Sequence, residues 1–100
     1  MDVNFEYHDV KASERLESLA ITKINKLWDK FDFIIRADVF FKTENTSDHQ
    51  KGKICNIRLS LPGPRLFSEA NHASFEASIS EACEDVEIQL RKRKAKMKAY

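Results

Sequence analysis

Three consecutive segments of this chain alternate apolar and polar residues with a period of two, and only short polar turns separate them. The segments cover residues 34–44, 53–61 and 65–70. A period of two predicts β-strands with one apolar face, and consecutive strands joined by short turns favour an antiparallel meander. A sheet of this kind has to bury its apolar face against a second layer, which the rest of the chain must supply.

Two segments with a helical period flank the meander. The first begins at Ser13, a good helix-capping residue, and has Glu14 in its first turn. Its apolar stripe contains Leu16, Leu19, Ala20, Ile24, Leu27, Trp28 and Phe31. The second begins near Ala73, and its stripe contains Phe75, Ile79, Ala82, Cys83, Val86, Leu90 and Met97. Each stripe predicts an amphipathic helix whose apolar residues, Trp28 included, lie in the core.

A short alternating run at residues 3–7 predicts one more strand before the first helix. The predicted order is therefore β-α-β-β-β-α. This order indicates an α+β fold, a two-layer sandwich in which both helices pack on one face of a four-stranded sheet. One hundred residues with 42% hydrophobic content suit a single domain over residues 1–100.

The charged residues are distributed very unevenly. Residues 91–100, the basic end, contain six cations and no acidic residue: Arg91, Lys92, Arg93, Lys94, Lys96 and Lys98. The other eleven basic residues and all sixteen acidic residues lie in residues 1–90, which carry a formal charge of −5 although the whole chain carries +1. A concentrated basic end attracts polyanions through its local field and counterion release, so nucleic acid is the first partner to consider.

Lysines on the first helix can extend this basic region. Lys23, Lys26 and Lys30 recur on its polar flank, and they join the basic end if the two helices pack side by side. On the second helix we expect Arg91, Lys94 and Lys98 along one stripe, with Lys92 and Lys96 beside it. Six phosphate contacts would give log affinity a slope near −5 against log salt, at about 0.9 per contact. The alternative is that the basic run only solvates a fraying helix end.

Other functional classes lack a signal in the sequence. There is no nucleophile elbow, phosphate-binding glycine loop or paired-histidine metal motif, so we predict no enzyme, no metal, no cofactor and no small-molecule substrate. Cys55 and Cys83 have no partner at metal-ligand spacing and are expected to be buried thiols. The first residues show no signal-peptide pattern, and no apolar run approaches the ~20 residues of a membrane span. We therefore expect a cytoplasmic protein with no membrane partner.

Two segments of the chain are similar to a known family. They are the run Ile57–Gly63 followed by Arg65–Phe67, and the closing segment that starts at Ser74–Ala77 and continues through Gln89–Lys94. Together with the order of elements, these segments resemble the short ribosome hibernation-promoting factors and ribosome-associated inhibitors, also called protein Y. The resemblance covers essentially the whole chain.

The resemblance implies binding to the small ribosomal subunit of bacteria, in the channel between head and body. There the family overlaps the paths of messenger and transfer RNA, so translation stops while the ribosome is stored. Basic residues on both helices would contact ribosomal RNA. With the whole basic end included, the candidate RNA-binding residues are Lys23, Lys26, Lys30, Arg91, Lys92, Arg93, Lys94, Lys96 and Lys98. We expect the free protein to be a monomer.

The second helix departs from the family pattern at four places. Ser74 and Glu76 stand where the family usually has Asp and, two residues on, Tyr; Ser80 replaces another Asp, and Asp85 replaces a Lys. The last change reverses a charge that would face RNA. The positive charge of the second helix is therefore concentrated further toward the basic end. The sequence ends at Tyr100, so we expect none of the extra C-terminal domain with which long members dimerise ribosomes.

Two other functions are compatible with the pattern. One is a general double-stranded-RNA-binding module, whose fold has the same α-β-β-β-α order, although here the second helix opens with acidic residues. The other is a protein–protein adaptor that uses an exposed sheet face carrying Phe40, Ile54 and Phe67, with the basic end serving solubility. Phe40 on that face would stack on a base or partner, or pack against a neighbouring strand, which we favour.

Overall fold

Four strands and two helices follow one another in the predicted order. The computed structural model describes residues 2–98, except the side chain of Lys98. The elements are β1 (Asp2–His8), α1 (Glu14–Lys30), β2 (Arg36–Thr43), β3 (Lys53–Ser60), β4 (Leu66–His72) and α2 (Phe75–Lys98). The predicted α+β class is confirmed. Among the described helices none is long and apolar enough to cross a membrane.

The sheet has the order β1-β2-β3-β4. Strands β2, β3 and β4 form the predicted antiparallel meander, with Val39 opposite Ile57 and Ile57 opposite Ser68. Strand β1 pairs with β2 in parallel, with Phe5 opposite Val39. A parallel pair requires a crossover connection, and α1 provides it. The pairing of β1 leaves β1 and β4 as the two edges of the sheet.

Both helices cover the same face of the sheet, as predicted. Alternate strand residues such as Val39, Phe41 and Ile57 are fully buried there, together with Ile24 of α1 and Ile79 of α2. Helix α2 packs on β3 and β4 and also contacts α1. Burial of each large apolar side chain favours the folded state by about 1.5–3 kcal/mol, so this single face supplies most of the stability.

The beginnings of both helices are capped by serine. Ser13 Oγ accepts a hydrogen bond from the Leu16 N–H (3.3 Å), which confirms the predicted cap of α1. Ser74 Oγ accepts one from the Ala77 N–H (3.2 Å) at the start of α2. Each bond satisfies a backbone donor that the helix itself leaves free. The two helix starts are therefore fixed by local sequence.

The two helices run in the same direction along the sheet. Arg15 of α1 pairs with Glu76 near the start of α2, and Lys30 at the end of α1 pairs with Glu87 further along α2. Helix α2 has 24 residues and α1 has 17, so the last turns of α2 continue past the end of α1. The basic end thus extends beyond the two-helix layer.

Two residues assigned to the core from their spacing are instead well exposed. Trp28 is 38% exposed and Met97 is 46% exposed. Trp28 follows the buried Leu27 by about 100° around the helix, which places its indole at the margin of the stripe. Met97 lies two turns beyond Leu90, the last buried residue of α2, where α2 has continued past its packing partners. The stripe predictions were right except at these margins.

Candidate nucleic-acid interface

A groove runs between α1 and α2 on the surface of the helical layer. We call it the interhelical groove; its volume is about 160 Å³, and it is lined by Lys23, Lys26, Leu27, Lys30, Ser80, Cys83, Glu84 and Glu87. The three lysines predicted to extend the basic region therefore lie on the flank of α1 that faces α2. The residues opposite them are not basic, however. Glu84 and Glu87 belong to the acidic part of α2 and give the groove a mixed charge.

Glu87 pairs with two of the candidate RNA-binding residues. Its Oε2 atom lies 3.7 Å from Lys30 Nζ across the groove. The same oxygen accepts a hydrogen bond from the Arg91 guanidinium, one turn later on α2. The Glu87 side chain is 22% exposed, less than either cation. The centre of the candidate interface therefore contains a partly buried anion between two cations.

Lys94 connects the basic end to the first helix. Its Nζ donates to the backbone carbonyl of Lys30 (3.4 Å) and lies 5.6 Å from the centre of the Phe31 ring. A lysine over an aromatic ring is held by the ring's negative face while part of its ammonium group remains in water. This contact brings the cations of α1 and those of the basic end next to each other at one point, the end of α1.

Arg93 points to a different neighbour. Its guanidinium donates to the carbonyls of Pro62 (3.3 Å) and Pro64 (2.9 Å) in the turn between β3 and β4. Between these prolines, Gly63 has a φ of 92°, which favours glycine, and a Cβ there would lie 3.4 Å from Arg93 Nη1. The Arg93 side chain thus fastens the basic end to the sheet.

The remaining cations of the basic end lie elsewhere on the helix surface. Lys92 and Lys96 are exposed, and among the described residues neither forms an ion pair. A helical step of 100° per residue places them on the flank of α2 away from α1, rather than beside the stripe of Arg91 and Lys94. The side chain of Lys98 lies outside the described residues. The basic end therefore presents charge around its circumference and not along a single stripe.

The two cysteines lie under the interface in the core. Burial raises the pKa of the Cys55 thiol to about 12, and it raises the pKa of the Cys83 thiol to about 11. For Cys83, Lys23 acts in the opposite direction, whereas Glu84 and Glu87 add to the increase. Both thiols are protonated at neutral pH, so neither is an activated nucleophile or a ready metal ligand.

The other face of the sheet carries a second concave surface. Its volume is about 430 Å³, and its lining includes Glu6, Phe40, Asn56, Arg58, Phe67 and Glu69. Phe40 packs against β3 as favoured, but its neighbour there is the Arg58 guanidinium, whose Cζ lies 5.3 Å from the ring centre. Phe67 is 55% exposed. Acidic and basic side chains alternate on this face, which gives it no strong charge of either sign.

Ile54 does not belong to that exposed surface. It is 5% exposed, although strand alternation places it on the face opposite the core. Its cross-strand neighbours are Lys42 and Asn71, and Asn71 in turn accepts a hydrogen bond from the Gly52 N–H (2.6 Å) and donates to Glu44 (3.0 Å). These neighbours leave Ile54 little contact with water. Its assignment as an exposed contact residue was therefore wrong.

Comparison with known proteins identifies the family of the chain. Residues 3–98 match the family model described as Sigma 54 modulation protein / S30EA ribosomal protein. The chain belongs to this family. It is 24% identical over 99 residues to the ribosome hibernation promoting factor of Pseudomonas putida, an alignment that covers 99% of this chain and 92% of the relative.

Solved structures show the same fold. A ribosomal subunit interface protein from Coxiella burnetii superposes with a TM-score of 0.81 at 23% identity, covering 95% of this chain and 99% of that one. The N-terminal domain of Thermus thermophilus Protein Y superposes with a TM-score of 0.79 at 19% identity, covering 92% and 98%. The resemblance to the ribosome hibernation factors is confirmed, and the chain belongs to ribosome-associated regulators of translation.

Sequence reasoning missed the acidic side of the groove. The pairing of Glu87 with Arg91 has a signal in the sequence, because residues four apart are neighbours on a helix. The pairing of Glu87 with Lys30 has none, since it depends on how far α2 is shifted along α1. Of the two ion pairs in this mixed-charge groove, the sequence could therefore predict the one between Glu87 and Arg91 but not the one between Glu87 and Lys30.

Proposed function

We propose that this chain binds the ribosomal RNA of the small subunit, in the channel between head and body, and blocks translation by occluding the paths of messenger and transfer RNA. The observation that carries the proposal is the contact of Lys94 with the Lys30 carbonyl and the Phe31 ring. It brings the cations of the basic end next to those of α1 at the end of α1, and we propose that the two sets together form an RNA-binding surface. We define this surface by all the candidate residues: Lys23, Lys26, Lys30, Arg91, Lys92, Arg93, Lys94, Lys96 and Lys98.

The distribution of charge suits recognition of a folded RNA. Cations on the groove, on the far flank of α2 and at the turn face three directions, so a single straight duplex would reach only some of them. RNA whose strands surround the helix end would reach more. Contacts of this kind read phosphate positions and RNA shape more than base sequence. Occlusion requires only that the folded body remain bound, so the proposed mechanism uses no catalytic group.

Arg93 remains part of the proposed surface although it binds the turn. A guanidinium has five N–H donors, and the bonds to Pro62 and Pro64 leave others free for a phosphate. We assign it both a structural role and a contact role. Its contribution to RNA affinity should therefore be smaller than that of Lys92 or Lys96, whose ammonium groups are exposed.

The proposal includes the form in which the protein acts. Residues 1–100 would act as one ribosome-binding unit, in the cytoplasm with the ribosomes, without enzymatic activity and as a monomer when free. Sedimentation equilibrium of the free protein checks the last point. A mass of twice 11.6 kDa would contradict it.

Co-sedimentation with purified small subunits over a salt series tests the proposed function. We expect binding at low salt that weakens steeply as salt rises, because phosphate contacts release counterions. We also expect the bound protein to reduce the binding of messenger RNA and initiator transfer RNA to the same subunits. Binding that is indifferent to salt, or absent at low salt, contradicts the proposal.

The same assay distinguishes a general double-stranded-RNA-binding module. Such a module binds any A-form duplex with comparable affinity, so an excess of duplex RNA would release the protein from the subunits. We expect little release, because acidic residues occupy the start of α2, where Glu76 pairs with Arg15 and Glu81 with His72. Complete release by a moderate excess of duplex would favour the general module.

The exposed sheet face supports a second candidate, a protein–protein adaptor. The specific observation is Phe67, 55% exposed at the rim of the 430 Å³ concavity. In that case Phe67→Ser should abolish partner binding, while neutralising Arg91–Lys94 should leave it intact. The first proposal predicts the reverse for binding to ribosomal subunits.

A further inference from the structure

Glu87 lies in the middle of the cations that the proposed function assigns to RNA. One carboxylate oxygen accepts from the Arg91 guanidinium and lies 3.7 Å from Lys30 Nζ. The Glu87 side chain is 22% exposed, whereas those of Lys30 and Arg91 are 58% and 65% exposed. The anion therefore lies deeper than the cations, and an approaching phosphate meets the two cations with the carboxylate behind them.

We propose that Glu87 is a counter-charge that competes with RNA phosphates for Lys30 and Arg91 and so sets the affinity of the interhelical groove for RNA. This inference rests on the proposed function and deepens it. Phosphate and carboxylate oxygens accept the same charge-assisted hydrogen bonds, so the Arg91 N–H that donates to Glu87 is unavailable to RNA until that pair opens. Lys30, at 3.7 Å, is attracted to Glu87 by its charge, and a phosphate competes for the same charge. The three side chains together carry a charge of +1, and they would carry +2 with a neutral residue at position 87.

The alternative role of such a carboxylate is to hold the cations in place for RNA. Two observations favour competition. The cations are mostly exposed, and ion pairs between exposed side chains restrain them only weakly. In addition, Lys94 is positioned without Glu87, through the Phe31 ring and the Lys30 carbonyl. Removal of the negative charge should then lower repulsion more than it disturbs the geometry.

Glu84 provides a graded comparison within the same groove. It lines the groove one turn before Glu87, and in the described part of the chain it forms no ion pair. Neutralising Glu84 removes repulsion toward phosphates but releases no cation. Its effect should be smaller than that of Glu87, although both substitutions change the net charge equally.

The test compares wild type with Glu87→Gln, Glu84→Gln and a matched control, Glu6→Gln. Glu6 lies on the opposite face of the sheet, so its substitution changes the net charge equally but far from the groove. Binding to purified small subunits and to a short RNA duplex is measured from about 50 to about 400 mM KCl.

Glu87→Gln should bind about fivefold to tenfold tighter at physiological salt and steepen the salt slope by about 0.9, the increment of one charge. Glu84→Gln should bind about twofold tighter, and Glu6→Gln should match wild type within that factor.

Each outcome decides a separate question. If Glu87→Gln behaves like Glu6→Gln, the competition is absent; if it binds more weakly than wild type, Glu87 positions the cations instead. Either result overturns the inference and leaves the proposed function in place, provided that wild type binds the subunits. If wild type does not bind subunits at low salt, the proposed function fails, and the duplex series still decides the role of Glu87. Equal thermal unfolding midpoints for all variants exclude a folding defect as the cause.

Discussion

The two parts of α2 form one continuous helix, but different interactions stabilise them. From Phe75 to Leu90 the helix packs on the sheet, and Ile79, Val86 and Leu90 are fully buried. Its exposed side there is acidic, and Glu87 and Glu84 face the interhelical groove. From Arg91 onward the described side chains are half-buried or exposed and mostly cationic, held by the contacts of Arg93 and Lys94. The first part maintains the fold, and the second is available to a partner.

One helix can therefore stabilise the fold with its packed part and leave a separate part exposed to solvent. Truncating the buried residues between Phe75 and Leu90 should mainly change the free energy of unfolding, and neutralising the exposed cations after Leu90 should mainly change the affinity for polyanions. Four experiments test or refine the division.

The largest effect should follow from truncating a buried residue of the packed part. Ile79→Ala removes a fully buried side chain and should lower the free energy of unfolding by about 2–5 kcal/mol. The matched control is Ile88→Ala, about two and a half turns along on the exposed side of the same helix, where Ile88 is 50% exposed. It should change the free energy by less than about 0.5 kcal/mol. Urea unfolding of both variants checks this, and equal losses would refute the division.

Neutralising the basic end should reduce binding much more than it reduces stability. The triple substitution of Lys92, Lys94 and Lys96 by Gln should lower affinity for small subunits about a hundredfold at physiological salt and reduce the salt slope by about 2.7. The control variant replaces Lys11, Lys42 and Lys51 by Gln, an equal change of charge on exposed residues outside both helices. A salt series with both variants checks the prediction. Equal losses in the two would mean that net charge, rather than the position of the charges, controls binding.

Weakening the contact between Arg93 and the β3–β4 turn should have a smaller effect, on the free energy of unfolding. Arg93→Lys keeps the charge but loses the planar fork that binds the carbonyls of Pro62 and Pro64. It should lower the free energy of unfolding by about 1 kcal/mol. Arg91→Lys makes the same chemical change at a residue that is itself the exposed end of its ion pair, with a side chain 65% exposed, so it should cost less than about 0.5 kcal/mol. Thermal denaturation distinguishes them, and identical midpoints would show that the turn contact contributes nothing.

The smallest effect concerns acid pH and the start of α2. A hydrogen bond from its own backbone N–H and the pairing with Arg15 lower the pKa of Glu76. Because the pKa is lower in the folded state, Glu76 stabilises the protein above the pKa of the unfolded chain, and this contribution is lost as pH falls through the folded-state value. Between about pH 5 and pH 3, wild type should lose stability more steeply than Glu76→Gln, with Arg15→Gln intermediate. Parallel pH profiles of wild type and Glu76→Gln would contradict the assignment.

Local pattern predicted most of the fold. The periods of two and 3.6 gave the order of the elements, and the capping role of Ser13 was correct because it depends on residues only a few positions apart. The parallel pairing of β1 with β2 was not predicted, since the choice of neighbour depends on contacts far apart in sequence. Trp28 and Ile54 were misassigned for a related reason. Their exposure is decided by neighbours at the margins of the core, which alternation does not describe.

The candidate interface was predictable in composition but not in arrangement. Spacing along α1 placed Lys23, Lys26 and Lys30 on one flank, and that flank does face α2. Spacing did not show that Glu87 would lie opposite Lys30, or that Arg93 would turn toward Pro62 and Pro64. Both depend on the shift of one helix along the other and on the path of a distant turn. Family membership could be established from sequence, whereas the pairing of charges required coordinates.

The direction of β1 has an electrostatic consequence for the whole molecule. Because β1 is parallel to β2, α1 runs the same way as α2, and the carbonyl ends of both helices lie toward the same end of the protein. Those ends carry partial negative charge, close to half an elementary charge each, which would repel a polyanion. Lys30, Lys94 and their neighbours offset this charge where it accumulates. Part of the positive charge at this end therefore neutralises the backbone, and only the remainder is available to attract a polyanion.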